Sequence, residues 1–258
     1  MIRLAAALAL VALLWLFHLN ARLLGDEVIL AVWLVIGAAL GLVGFWLARV
    51  RRERMLSACL YPESHLQRRL RGGALMLFRQ LSIGLILGLA LMLALVRLES
   101  GLLAIVLPGA ALLWWLSCHA ARNRLRWHAH PRWLALISGR VAGWLVMIAM
   151  LPLVVWSSLH QVRPDLEGVA LNRAVWHFVD AEAARSGWLE GALQVVAAGE
   201  GLRQWLMQQV LPGIQAGPVL AALGWIMLFV AQAVWLVGLT RLFLALESGM
   251  GRYDSNRS

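Results

Sequence analysis

Six long apolar stretches constrain the fold of this chain more than any other feature. They cover approximately residues 4–19, 28–48, 75–96, 102–116, 131–158 and 218–239. A helix of about 20 apolar residues crosses the hydrocarbon core of a bilayer. With 62% hydrophobic and only 14% charged residues, the chain is too apolar for a soluble domain. The sequence therefore predicts an all-α fold, a polytopic membrane helix bundle with six transmembrane helices.

The placement of arginine predicts the orientation of these helices. All 23 basic residues are Arg, a bias typical of a GC-rich genome. If the six stretches cross the membrane in turn, 17 of these arginines lie on the side of both termini and six on the other. Cytoplasmic flanks of membrane helices are rich in Arg and Lys. We therefore expect cytoplasmic N and C termini in the inner (cytoplasmic) membrane of a bacterium, and we expect no nucleic-acid binding from the net charge of +10.

The expected topology divides the chain into three parts. Residues 1–156 hold the first five transmembrane helices and two Arg-rich cytoplasmic connectors, 49–79 and 117–132. Residues 157–217 form a periplasmic segment between helices five and six, and residues 218–258 form the sixth helix and a cytoplasmic tail. The first connector is a candidate docking element for a cytoplasmic partner or for lipid head groups, or else an ordinary solvated topology determinant. Its candidate residues are Arg49, Arg51, Arg52, Arg54, Arg68, Arg69 and Arg71.

The periplasmic segment has the pattern of three short amphipathic helices. The first ends at Gly187, the second ends near the run 199–201, and the third ends near Pro212. A segment of this size without a disulfide is too small to fold by itself, so we expect it to lie on the membrane surface or against the bundle. Its candidate docking residues are Trp176, Trp188 and Trp205.

Small residues predict close contacts between helices. Glycine pairs spaced four residues apart occur in the second, third and fifth apolar stretches, and such pairs let helix backbones approach closely. Gln232 is the polar residue nearest the centre of a stretch and is able to hydrogen-bond to another helix. The candidate packing residues are Gly37, Gly41, Gly84, Gly88, Gly139, Gly143 and Gln232.

No residue pattern in the chain is typical of catalysis or of a cofactor site. Cys118, His119, His128 and His130 lie close together in sequence, but their spacing matches no known metal site. None of the 13 carboxylates falls in the middle of a predicted transmembrane helix, which disfavours proton- or sodium-coupled transport. Paired histidines for haem are missing from the same positions. We expect no catalytic residue, no metal and no cofactor.

Three functions remain open on the sequence alone. The first is a non-catalytic integral subunit of a multi-protein inner-membrane complex for export, secretion or energy conversion, with other membrane subunits as partners. The second is a permease driven by a separate ATPase. The number of helices, the cytoplasmic termini and the segment between helices five and six resemble the layout of ABC-2 type exporter permeases, although the interfacial helix before the first span is missing. The third is a membrane enzyme acting at the interface through His119, His128 and His130.

Overall fold

A computed structural model describes residues 2–59, 73–127, 131–160, 164–166, 168–205, 208 and 218–255. These residues form eight α-helices and one 3-10 turn, Ala21–Leu23, and contain no strand. The all-α prediction is therefore confirmed for the described part of the chain. The helices are α1 Ile2–Asn20, α2 Asp26–Cys59, α3 Ala74–Arg97, α4 Ser100–Leu125, α5 Pro131–His160, α6 Leu171–Asp180, α7 Gly187–Trp205 and α8 Pro218–Ser255.

Six of the helices are long and apolar enough to cross a membrane, as the sequence predicts. Their apolar segments are Ile2–Leu23, Asp26–Arg52, Ala74–Arg97, Ser100–Leu125, Ile137–Ser158 and Leu228–Glu247. The last segment continues to Glu247, eight residues beyond the end of the predicted stretch 218–239. Beyond Arg241 the chain returns to the apolar run 242–246, so the helix remains apolar for another turn and a half. The protein is a multi-pass membrane protein.

The contact between α2 and α3 is the most extensive in the bundle, and glycine permits it. A Cβ added to Gly84 would lie 2.6 Å from the Cα of Gly41, and a Cβ on Gly88 would lie 3.2 Å from the Cα of Gly37. The backbones therefore touch where these residues meet. The Trp33 indole Nε1–H donates to the carbonyl oxygen of Leu85 across the same contact, at 2.9 Å.

The other membrane helices pack around this pair. α8 contacts α3, α2 and α5, while α4 contacts α5 and α1. Trp114 of α4 stacks on Phe243 of α8, with ring centroids 5.4 Å apart, and both side chains are fully buried. α8 is thus surrounded by other helices. A polar side chain on its last turns is therefore close to polar side chains of several neighbouring helices.

Residues 171–205 contain two helices, and the predicted helix ends at Gly187 and near the run 199–201 are wrong. α6 ends at Asp180, and Gly187 begins α7 instead of ending the first helix. α7 then continues through the run 199–201 to Trp205. Gly201 lies on the contact with α6, where an added Cβ would come within 3.1 Å of the Val175 Cα. Glycine here permits close packing and does not end the helix. The rest of the predicted third helix, apart from residue 208, lies outside the described residues.

The α6–α7 pair, which we call the helical layer, is joined to the membrane helices by one continuous core. Leu189 and Leu193 of α7 are fully buried and belong to the same apolar cluster as α3, α4 and α8. Trp188 packs against Trp33 of α2, with centroids 5.1 Å apart. Since Trp33 lies in the second turn of α2, the layer sits at the end of the bundle where α2 begins.

Candidate functional site

Polar groups meet at two opposite ends of the bundle. At the first end, α1 begins, α4 ends, α5 begins and α8 approaches its end. At the second end, α1 ends, α2 begins and α3 ends, and the helical layer packs on these termini. Each end holds a group of ion pairs.

The first group is centred on Glu247 of α8, whose side chain is only 1% exposed. Its carboxylate forms an ion pair with Arg122 of α4, and it lies 3.8 Å from Nε of Arg3 in α1. The Arg122 Nε–H also donates to Oγ of Ser138 in α5, at 3.3 Å. We call Arg3, Arg122, Ser138 and Glu247 the Glu247 cluster. It connects four helices through one buried carboxylate.

A cavity of about 40 Å³ adjoins the Glu247 cluster. Ligand pockets for small molecules have volumes of about 300 Å³ or more, so this space is too small for a metabolite. One water needs roughly 10–15 Å³ of such volume, so the cavity has room for a few waters. Its lining residues are Arg3, Trp114, Trp115, Cys118, His119, Arg122 and Glu247.

The sequence cluster of cysteine and histidine is only partly described. Cys118 is buried, and its thiol faces the carbonyl oxygen of Ser138 at 3.8 Å. His119 is exposed, bonds to the Asn123 amide at 3.1 Å and stacks on Trp115. Among the described residues no three His, Cys, Asp or Glu side chains are grouped as metal ligands would be. His128 and His130 lie outside the described residues.

The second group is centred on Glu182, which lies between α6 and α7. Its carboxylate contacts Arg22 and Arg97, each at 3.1 Å. Arg97 also pairs with Glu200 of α7, at 2.9 Å, and the backbone N–H of Arg185 donates to the carbonyl oxygen of Arg22. We call Arg22, Arg97, Glu182 and Glu200 the Glu182 network. It ties the helical layer to the ends of α1 and α3.

Asp26, the first residue of α2, binds the beginning of α7. Its carboxylate accepts hydrogen bonds from the Ser186 hydroxyl and from the backbone N–H of Trp188. The Ser186 Oγ in turn accepts the backbone N–H of Leu189, at 3.1 Å, which is the geometry of a helix N-cap. A negative charge at a helix N-terminus is also favourable for the helix dipole. Ser186 and Asp26 therefore fix where α7 starts and which terminus it docks on.

The predicted docking arginines are described in part. Arg49, Arg51 and Arg52 are exposed on the last turns of α2. Arg54 lies in the same helix, and nothing is described of its side chain. Arg68, Arg69 and Arg71 lie outside the described residues.

The three candidate tryptophans of the helical layer differ in their surroundings. Trp176 is 60% exposed. Trp188 is partly buried on Trp33. Trp205 is partly buried, and its Nε1–H donates to the carbonyl oxygen of Val169 at 2.8 Å. Of the three, Trp176 is therefore the one that presents most of its surface.

The predicted packing residues lie at three kinds of position. Gly37, Gly41, Gly84 and Gly88 meet at the α2–α3 contact. Gly139 and Gly143 of α5 face α8, where added Cβ atoms would lie 2.5 Å from a Leu244 methyl and 3.7 Å from the Thr240 Cβ. Gln232 accepts a hydrogen bond from the Trp235 indole of its own helix, at 3.1 Å.

α7 also presents apolar side chains away from the bundle. Its buried residues include Leu193 and Ala197 on one face, while Val195 is 74% exposed and Leu202 is 42% exposed on the other. Gly199, between these two, is exposed as well. We call Val195, Gly199 and Leu202 the apolar stripe.

The residues that organise both ends are missing from the sequence-based candidates. Glu247 falls beyond the predicted end of the sixth span, although the apolar run 242–246 signals that the span continues past Arg241. Ser186, followed by Glu190 in the first turn, signals a helix start. For Glu182 we find no sequence signal, because its partners Arg22 and Arg97 are distant in the chain.

Comparison with protein-family models, with curated proteins and with solved structures found no match for this chain.

Proposed function

We propose that this multi-pass membrane protein is a non-catalytic integral subunit of a multi-protein complex in a bacterial inner membrane. The complex would serve export, secretion or energy conversion, and the chain would supply surfaces for its partners. The observation that carries this proposal is the apolar stripe on a helical layer that is itself anchored to the bundle. Neither helix of that layer is among the six membrane-crossing segments.

An exposed apolar stripe in water is unfavourable, by about 25 cal/mol for each Å² of apolar surface that a partner would bury. The stripe belongs to a helix whose opposite face is buried in the core and whose start is capped by Asp26 and Ser186. A surface held in this way loses little conformational freedom when a partner binds. Exposed apolar patches rimmed by polar residues mark contact sites for proteins or for membranes, and the proposal takes the partner to be a protein.

The orientation that fits this role places the Arg-rich first end in the cytoplasm and the helical layer in the periplasm. Its support is the asymmetry of 17 arginines against six. The first end then offers Arg51 and Arg52 to cytoplasmic partners or lipid head groups, and the second end offers the apolar stripe to periplasmic portions of other subunits.

A second candidate, the permease of an ATP-driven exporter of ABC-2-like layout, is favoured by the length of α2. Its 34 residues make a helix about 51 Å long, whereas the hydrocarbon core is about 30 Å thick. The helix is therefore longer than the core is thick, and its C-terminal turns follow Arg51 and Arg52, which are exposed at the end of the apolar segment Asp26–Arg52. A cytoplasmic ATPase would find a docking surface there.

Purification of the chain from its native membrane in mild detergent tests the proposal. We expect other proteins to accompany it at fixed stoichiometry, because they would cover the apolar stripe and the exposed arginines. A well-behaved isolated monomer would contradict a subunit role. If the accompanying chains include an ATPase that Arg51→Glu and Arg52→Glu release, the permease is the better description.

A further inference from the structure

The cavity beside the Glu247 cluster is lined by two buried residues with unsatisfied polar atoms. Trp114 and Glu247 are each 1% exposed. Among the described residues, Nε1 of Trp114 and Oε2 of Glu247 have no hydrogen-bond partner. Buried polar atoms in native proteins almost always have a partner, either protein or ordered water. Both residues line the same cavity, so one occupant is able to serve both.

The two atoms define the chemistry of that occupant. An indole Nε1–H only donates a hydrogen bond, and a carboxylate only accepts. The occupant must therefore accept from Trp114 and donate to Glu247. The guanidinium groups of Arg3 and Arg122 already lie beside the carboxylate, so the pocket carries a net positive charge and disfavours a metal cation.

The size and the lining of the cavity identify a molecule that meets these conditions. The volume of about 40 Å³ corresponds to about three waters. The lining passes from buried Trp114 and Cys118 to exposed His119, which gives solvent a route inwards. We propose that the cavity is a water-binding site in which a small group of waters, entering beside His119, links the Trp114 indole to the Glu247 carboxylate. This inference does not depend on the proposed function.

X-ray radiolytic footprinting of the whole protein in detergent tests the site. Hydroxyl radicals formed from bound water oxidise side chains next to that water, even buried ones. Trp235 is a matched control, because it is buried to 3% exposure, does not line the cavity and has its indole bonded to Gln232. We expect Trp114 to be oxidised several times faster than Trp235. Equal, slow oxidation of the two tryptophans would overturn the proposal.

A cavity-filling variant separates bound water from general loosening of the fold. Cys118→Met lengthens a side chain that lines the cavity. We expect it to lower the oxidation rate of Trp114 towards that of Trp235 and to leave the Trp235 rate unchanged. If Trp114 is oxidised as fast as before, the radicals do not come from water in this cavity, and the proposal fails. If Cys118→Met does not fold, Cys118→Leu provides the same comparison.

Discussion

The Glu247 cluster and the Glu182 network join helices at opposite ends of the bundle by the same kind of bond in different surroundings. Glu247 is 1% exposed, and its carboxylate is shared by arginines of two other helices. In the Glu182 network Glu182 itself is 9% exposed and Arg97 is 16% exposed, but the outer partners Arg22 and Glu200 are 47% and 43% exposed. Removing one partner of a buried pair is costly, whereas exposed pairs contribute little and are screened by salt. The first end is therefore held firmly, and the second end is able to adjust.

This difference agrees with the division of roles in the proposed function. The end with weaker, partly exposed ion pairs carries the helical layer and its apolar stripe. The start of α7 is capped by Asp26 and Ser186, so what can adjust at this end is the docking of the whole helical layer on the bundle, not the order of α7 itself. Substitutions at the two ends should therefore differ in the size, the location and the salt dependence of their effects.

The largest effect is expected for Glu247→Ala. The change leaves the guanidinium of Arg122 without its counter-ion at a buried position, so we expect a loss of about 3–5 kcal/mol in the free energy of unfolding. Unfolding by increasing SDS in mixed micelles measures it. Glu200→Ala is the control, because its carboxylate is 43% exposed and pairs with Arg97, which keeps Glu182 as a second partner, and it should cost no more than about 1 kcal/mol. Equal losses for the two variants would remove the distinction between the ends.

A smaller but still global effect is expected for Gly84→Ala in the middle of the bundle. The new methyl group would overlap the backbone of Gly41 and force α2 and α3 apart, at a cost of about 1–3 kcal/mol. The same unfolding assay applies. Gly101→Ala is the control, since nothing lies within 4 Å of the added Cβ. A neutral Gly84→Ala would mean that the two helices do not touch at this point.

Ser186→Ala should act locally, on the start of α7. It removes the hydroxyl that accepts the Leu189 N–H and donates to Asp26, and a lost N-cap costs about 1 kcal/mol. Hydrogen–deuterium exchange should become faster in α7 and stay unchanged in α4 and α8. Ser82→Ala is the matched control, because that hydroxyl donates to the Phe78 carbonyl oxygen of its own helix. Uniformly faster exchange would show that α7 is not a separate unit.

A similarly small effect is expected for Glu182→Gln, and salt should mask it. The charge is lost from the exposed pair with Arg22 and from the more buried pair with Arg97. Arg97 keeps a second counter-ion, Glu200, so we expect a loss of about 1 kcal/mol at low ionic strength. High salt reduces the Debye length to about 3 Å at 1 M. It should therefore raise the rate at which protease cleaves the helical layer of the wild type towards the rate for the variant. The rate of limited proteolysis within residues 168–205, at low and at high salt, measures this change. Glu190→Gln, whose carboxylate bonds to Gln194 of the same helix, should change little at either salt concentration.

The length of the apolar stretches was enough to predict the six membrane helices, because a bilayer demands long apolar segments whatever their neighbours are. Proline predicted the helix starts at Pro131 and Pro218, since it fits the first turn of a helix. The helix ends predicted at Gly187 and near the run 199–201 are wrong. Glycine also serves close packing, and only the position of α6 beside Gly201 distinguishes the two roles.

The polar contacts were harder to predict, since they depend on which helix termini meet. Glu182 lies 160 residues from Arg22 in the chain, and Ser186 lies equally far from Asp26. Glu247 was not counted among the carboxylates within predicted membrane helices, because the predicted sixth helix ended before Arg241. A buried acid close to the end of an apolar run can be recognised only when the run is followed to its last turn.

The most direct test of the account is whether the apolar stripe holds a partner. Val195→Arg places a charge on the stripe, and Ala183→Arg places the same charge at an exposed position between α6 and α7. After solubilisation in mild detergent, we expect the wild type and Ala183→Arg to elute with other membrane proteins at fixed stoichiometry. We expect Val195→Arg to elute alone with its helical content intact. Partners that remain bound to Val195→Arg, or a wild type that elutes as an isolated monomer, would contradict the account.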